Sequence, residues 1–256
     1  TLFPYTTLFR SRQAAVKELT KTSEWRQQFQ AYGKEQKITN ATQERLQTWL
    51  QTAPHFINSM LWKVLQYAIP AIIITVIILN VEDVISNEVR NMFLLGSAVI
   101  AFVMAKNIAP LHQQVSKMAE ELSVLADSIK MVEQTQFNTP LLQTLQAKFV
   151  IENTKASTQL KQLKKIVERL DLRLNPVVFI PLAIIFQWDI QQAMALEKWK
   201  QRNRQNINEW FDAIGQLEAL QSFASVSFNH PEWSFPTFKE AHFFIQGENI
   251  GHPLIN

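Results

Sequence analysis

Four basic side chains lie close together late in the chain: Lys198, Lys200, Arg202 and Arg204. Clustered cations of this kind can meet phosphate oxygens, whether of nucleic acid or of lipid headgroups. A solvated helix end produces the same pattern, and at the level of sequence both readings stand. The formal net charge of +3 is too mild to argue for nucleic acid by itself. No other group of residues suggests chemistry. Nucleotide hydrolysis needs a loop of the form G-x-x-x-x-G-K-[ST], whose glycines let backbone N–H groups approach phosphate and whose Lys meets its charge. The chain has 5 Gly, none so arranged. His55, His112, His230, His242 and His252 are scattered, with no pair at helical metal-ligand spacing. With no Cys, disulfides, Cys-ligated zinc and thiol catalysis are excluded within this span. Asp171-Leu172-Arg173-Leu174-Asn175 reads as a polar capped helix end, and Asp189 as a helix-start carboxylate. Catalytic, cofactor-binding and metal-ligating residues are therefore not expected here.

The elements around these residues read as helices. Gly is scarce, while Gln, Leu and Ala are common. Hydrophobic residues make up 47% and charged residues 18% of 256, a low charged share that suggests a surface facing lipid or a partner. Arg12 to Tyr32 carries Val16, Leu19, Trp25 and Phe29 at roughly helical spacing, with Gly33 as its stop. Ala41 to Thr52 reads as a second helix, ended by Pro54.

Two apolar runs follow. Val64 to Val81 has no charged residue and, at 1.5 Å per residue, extends roughly 27 Å, close to a bilayer core. Met92 to Ala105 is shorter and reaches spanning length only if Lys106 snorkels and the helix continues to Ala109. Gly96, Ser97, Ala98 and Ala101 would let the two helices pack closely. The connector Glu82 to Arg90 is net acidic, while Lys63, Lys106 and Lys117 lie on the other side. The positive-inside rule then makes both outer ends of the hairpin cytoplasmic. The alternative is a helical hairpin buried in a soluble cytoplasmic protein.

Leu111, Val115, Met118, Leu122, Leu125, Ile129 and Val132 alternate spacings of four and three, a heptad seam. A second seam runs through Ala156, Leu160, Leu163, Val167, Leu170 and Leu174, with Lys161, Lys164 and Lys165 off it. Two long helices packed in a helical core, or a coiled-coil dimer interface, would produce these seams. Between them Asn138-Thr139-Pro140 opens a helix. Val177 to Phe186, interrupted by Pro181, is too short to span and reads as buried or interfacial. Asp189 to Trp199 and Ile207 to Phe228 read as amphipathic helices separated by Lys200 to Arg204. Trp233 to Phe238 reads as extended chain or loop, and His242 to Ile245 as a strand.

The chain closes on Gly247-Glu248-Asn249-Ile250-Gly251-His252-Pro253-Leu254-Ile255. This segment resembles the one that opens the ATPase domain of the MutS family of DNA mismatch-repair proteins, where a short strand and a His-Pro turn precede the phosphate loop. Further residues carry a resemblance to a membrane-associated branch of MutS-like proteins: Arg12 to Leu19, Leu170 to Asn175, Trp188-Asp189, Leu196 to Trp199, Leu217 to Leu220 and Asn229 to Pro236. The resemblance is specific in the C-terminal third and weak around the apolar hairpin. It implies a helical core or lever domain that links DNA-contacting parts to a dimeric ATPase. ATP, Mg²⁺, DNA and a homodimer interface would belong to the parent protein. Gly251, His252 and Pro253 would mark the entry to its ATPase domain. The mismatch-reading domain and the ATPase itself lie outside this chain, and an apolar hairpin is not a DNA-clamp feature.

The expected fold class is mainly α: an elongated helical bundle or lever with a two-helix transmembrane hairpin and a short C-terminal β segment. Residues 1–11 resemble the in-frame translation of a common short-read sequencing adapter, and there is no initiator Met, so a fragment is expected. The expected layout is N-terminal helices at 12–60, the hairpin at 61–109, the core or lever at 110–228, and a loop plus first ATPase strand at 229–256. The expected function is the anchor and lever of a MutS-like ATPase at the cell inner membrane, its main helical domain cytoplasmic. The alternative is a non-enzymatic membrane-anchored scaffold.

Overall fold

A computed structural model describes residues 4–34, 40–53, 56–151, 153–237, 246–248 and 250–251. The described chain is mainly α. In order come α1 (Pro4–Thr20), α2 (Ser23–Lys34), α3 (Asn40–Gln51), α4 (Met60–Val81), α5 (Asn87–Gln134) and α6 (Pro140–Ala147). A two-stranded antiparallel hairpin, β1 (Val150–Ile151) and β2 (Thr154–Lys155), leads into α7 (Ala156–Asp171). A 3-10 turn (Leu172–Leu174) precedes α8 (Pro176–Phe186), α9 (Trp188–Asn203) and α10 (Asn206–Asn229). The expected strand at His242–Ile245 and the His252-Pro253 turn lie outside the described residues.

The structure joins two segments that the sequence suggested were separate. The second apolar run and the first heptad seam form one 48-residue helix, α5, about 72 Å long at 1.5 Å per residue. Pro110 sits inside it without ending it. A proline removes one helical hydrogen bond, here the one to the Lys106 carbonyl; the neighbouring Ala105 carbonyl accepts from Arg173 Nη2 at 2.7 Å. The reverse happens near the N-terminus, where Arg12 to Tyr32 is two helices. Thr20 Oγ1 donates to Val16 O and Thr22 Oγ1 to Leu19 O, while the Thr22 carbonyl accepts from Arg26 N to start α2. These hydroxyls compete with the ladder and break it. Gly33 is not the stop, since α2 runs on to Lys34.

The heptad seams meet each other inside the chain. Val115, Met118, Leu122, Ile129 and Val132 of α5 are buried, as are Ala156, Leu160, Leu163 and Leu170 of α7. The helices run antiparallel: Glu133 accepts from Ser157 at one end, Asp127 pairs with Lys161, and His112 meets Asp171 at the other. Leu174 leaves the seam, 77% exposed, because the chain tightens into the 3-10 turn. This core also takes in Val16 and Leu19 of α1, Phe29 of α2, Leu46 and Trp49 of α3, and Trp210 and Leu217 of α10. Glu18 of α1 caps α6, accepting from Asn138 N at 2.7 Å and Thr139 N at 2.8 Å. Thr139 occupies the N-cap position without a side-chain cap bond.

The other half of α5 pairs with α4. A tight turn joins them, with Asp83 at φ 56 and Ser86 Oγ accepting from Val89 N. Arg90 Nη1 holds Asn80 Oδ1 at 2.8 Å, and Asn80 Nδ2 donates to Ile85 O. Beyond this polar tip the hairpin exposes Tyr67, Ile72, Ile78, Leu95, Val99 and Phe102. Burial of such a side chain is worth about 1.5–3 kcal/mol, so this stripe calls for an apolar surrounding.

Candidate functional site

The hairpin joins the bundle at a small second core made of Phe56, Ile57, Met104, Ile108, Leu170, Ile190, Ala193 and Met194. Three helices and the segment before α4 contribute to it, and α9 runs through the middle. Its sequence suggested an amphipathic helix, yet it is buried nearly all round. Asp189, Gln192, Glu197, Lys200 and Asn203 are buried along with Ile190, Leu196 and Trp199. Polar side chains at such positions need partners, and those of Glu197 and Lys200 fasten the joint.

Glu197 is the central clamp. Its Oε2 accepts from Phe56 N at 2.9 Å and Ile57 N at 2.8 Å, fixing the segment that leads into α4. One turn later Lys200 Nζ donates to Thr52 O and Thr52 Oγ1, both at 2.6 Å, and lies 5.2 Å from the Trp49 ring centroid. Burial lowers the Lys200 pKa below the usual ammonium value; Glu197 opposes that shift and Arg204 adds to it. A cavity of about 360 Å³ lies beside the clamp, lined by Trp49, Phe56, Trp62, Met104 and Leu111 among others.

Closer to the hairpin, Arg173 donates to Ala105 O and lies 3.7 Å from the Asp189 carboxylate. At that distance the pair is ionic without a direct hydrogen bond, and neither Asp189 oxygen has a hydrogen-bond partner. His112 Nε2 and Asp171 Oδ1 approach to 2.6 Å. A His–carboxylate pair belongs to many catalytic sets, but here it ties the start of the α5 seam to the end of α7.

The four basic residues are divided by this geometry. Lys200 points inward and is occupied by Thr52, whereas Lys198, Arg202 and Arg204 are exposed. Arg202 and Arg204 border a shallow cleft of about 510 Å³ with Glu197, Gln205 and Asn206. The cluster lies mostly within α9, not in a linker. Gly251 is exposed, and His252 and Pro253 lie outside the described residues. No group of three or more His, Cys, Asp or Glu able to hold a metal ion occurs among the described residues.

Glu197, Thr52, Arg173 and Gln187 carry the joint. For Glu197 the signal in the sequence was faint, a polar residue interrupting the apolar positions of α9, and Thr52, Arg173 and Gln187 lie in turns between the longer helices. Their hydrogen-bond partners lie 68 to 148 residues away in sequence, which no local pattern reveals.

Fold and site together define a class: a mainly α protein in which two helices are long and apolar enough to cross a membrane and are rooted in a helical bundle. Compared with known proteins, the chain matches no family model, no curated protein and no solved structure.

Proposed function

We propose that this chain is the anchor and lever of a membrane-bound MutS-like ATPase, held in the cell inner membrane with its main helical domain in the cytoplasm. The observation that carries the anchor and lever is α5, one helix that begins in the exposed apolar hairpin and ends deep in the bundle core. Only 28% and 22% of the most apolar windows of α4 and α5 are buried, which favours lipid over burial within this chain. A rigid element shared by both regions passes displacement from one to the other, because packed helices move as units.

The motor part of the proposal rests on the residues that resemble the MutS-like branch. Several of them form the joint itself: Leu170, Asp171, Asp189, Leu196, Glu197 and Trp199. In this reading ATP and Mg²⁺ bind a domain encoded beyond Asn256, which also supplies the homodimer contact. This chain has no phosphate loop, so none of its residues is assigned a step in hydrolysis. Lys198, Arg202 and Arg204 are the exposed cations that would meet phosphate, of DNA or of lipid.

Two measurements test the proposal. Alkaline extraction of membranes carrying the chain should leave it in the pellet; release into the supernatant refutes the anchor. Reading the parent gene past Asn256 should reveal a phosphate loop within a few dozen codons. Its absence refutes the motor and leaves a membrane-anchored scaffold.

A further inference from the structure

We infer that α8 is a third membrane-embedded element, a re-entrant half-helix that dips into the lipid beside the hairpin and returns through α9. The inference rests on the proposed anchor and adds a lipid contact that the hairpin alone does not provide. At 11 residues, α8 is about 16 Å long, too short to cross a bilayer. It has no polar face: Pro176 to Phe186 contains no charged or hydrogen-bonding side chain. Val177 is 83% and Ile180 54% exposed. In water such a helix has nothing to hold it outward. Against acyl chains its composition is the expected one.

Its two ends are level with different points on α5. Just before α8, Arg173 bonds Ala105 O. At its far end Ile184 O accepts from Ser97 Oγ, and Gln187 Nε2 donates to Ser97 O at 3.1 Å and Ser97 Oγ at 2.8 Å. Ala105 and Ser97 lie about 12 Å apart along a helix, less than half of a hydrocarbon core about 30 Å thick. The chain then bends by 80° at Gln187, a buried residue with φ 51. α9 returns toward the second core, where Ile190 and Met194 join Met104 and Ile108.

Three carbonyls at the bend are paired without water, while Gln187 Oε1 stays buried with no hydrogen-bond partner. A broken helix exposes terminal carbonyls, which lipid cannot satisfy. Here Ala183 O accepts from Gln187 N, Ile184 O from Ser97 Oγ, and Phe186 O from Gln191 Nε2 at 2.7 Å. At Ile184 and Phe186 side chains thus supply the donors that solvent supplies in a soluble turn. The apolar surface of α8 is continuous with the hairpin, since α8 packs on both α4 and α5.

The chain has no Cys, so single cysteines can be spin-labelled without background. The sites are Val177→Cys and Ile180→Cys on α8, Ile72→Cys and Phe102→Cys on the hairpin, and Lys164→Cys on α7, all at exposed positions. The protein is reconstituted in phosphatidylcholine–phosphatidylglycerol vesicles. Collision rates with oxygen, which partitions into lipid, and with a neutral nickel chelate, which stays in water, are then compared. The α8 labels should show the oxygen-dominated ratio of the hairpin labels, opposite to Lys164→Cys. Nickel-dominated α8 labels beside oxygen-dominated hairpin labels would overturn the inference and keep the anchor. Nickel-dominated labels at both places would overturn both.

Discussion

Replacing Glu197 with Ala should loosen the joint between hairpin and bundle. The carboxylate accepts two backbone N–H groups, at 2.9 and 2.8 Å, and is only 9% exposed. Hydrogen bonds to a charged acceptor are worth about 1.5–3 kcal/mol each, and a buried donor left unpaired costs about 1–3 kcal/mol. The loss also leaves Lys200 without the negative charge that offsets its burial. These terms overlap, so the expected destabilisation is about 3–5 kcal/mol rather than their sum. At about 2–4 °C per kcal/mol for a chain of this size, Glu197→Ala should lower Tm by about 6–20 °C. Glu197→Gln keeps an acceptor oxygen but not the charge, and should fall between wild type and Ala. The assay is thermal unfolding in nanodiscs followed by tryptophan fluorescence, since Trp49 and Trp62 border the adjacent cavity. A Glu197→Ala midpoint within about 1 °C of wild type, well under the shift expected for 1 kcal/mol, would refute this account of the clamp.

Three other outcomes are expected. Burial would raise the Glu18 pKa, but the hydrogen bonds from Asn138 and Thr139 outweigh it and hold the pKa below the ordinary value. Its contribution is thus present above the unfolded pKa and lost as pH falls through the folded one. Glu18→Gln should cost about 1 kcal/mol at neutral pH after allowance for solvent screening, and should flatten the acid limb of a stability–pH curve. Gln187→Gly should be more stable than Gln187→Ala by about 1 kcal/mol, because alanine in the left-handed region pays a steric cost that glycine does not; paired melting curves measure the gap. Asp127→Asn removes an exposed pair with Lys161, 3.0 Å apart, and should change stability by less than about 0.5 kcal/mol in the same melting assay.

The helical class and both apolar runs were legible because their signals are local. An uncharged apolar run and an alternation of fours and threes need no knowledge of the rest of the chain. What escaped was set by distant partners. The apolar run and seam of α5 read as two elements because Pro110 sits between them, yet the helix continues through it. The break at Lys21-Thr22 depended on hydroxyl-to-carbonyl bonds that compete with a pattern otherwise fit for one helix. At the candidate site, Lys200 looked like one of four surface cations. Only the fold brings Thr52 within 2.6 Å of it and so removes it from the phosphate-contacting set. Gln187 was unremarkable in sequence, and its left-handed turn becomes explicable only beside Ser97.

The most direct test of the account is a spin–spin distance along α5. The labels go at Val99→Cys, exposed in the hairpin, and Lys130→Cys, exposed in the bundle, in protein reconstituted into vesicles. A single helix running from the anchor into the core predicts a narrow distribution about a backbone separation of roughly 46 Å, at 1.5 Å per residue. A shorter, broad distribution would mean that the chain bends near Pro110, and would contradict an anchor and a lever sharing one rigid element.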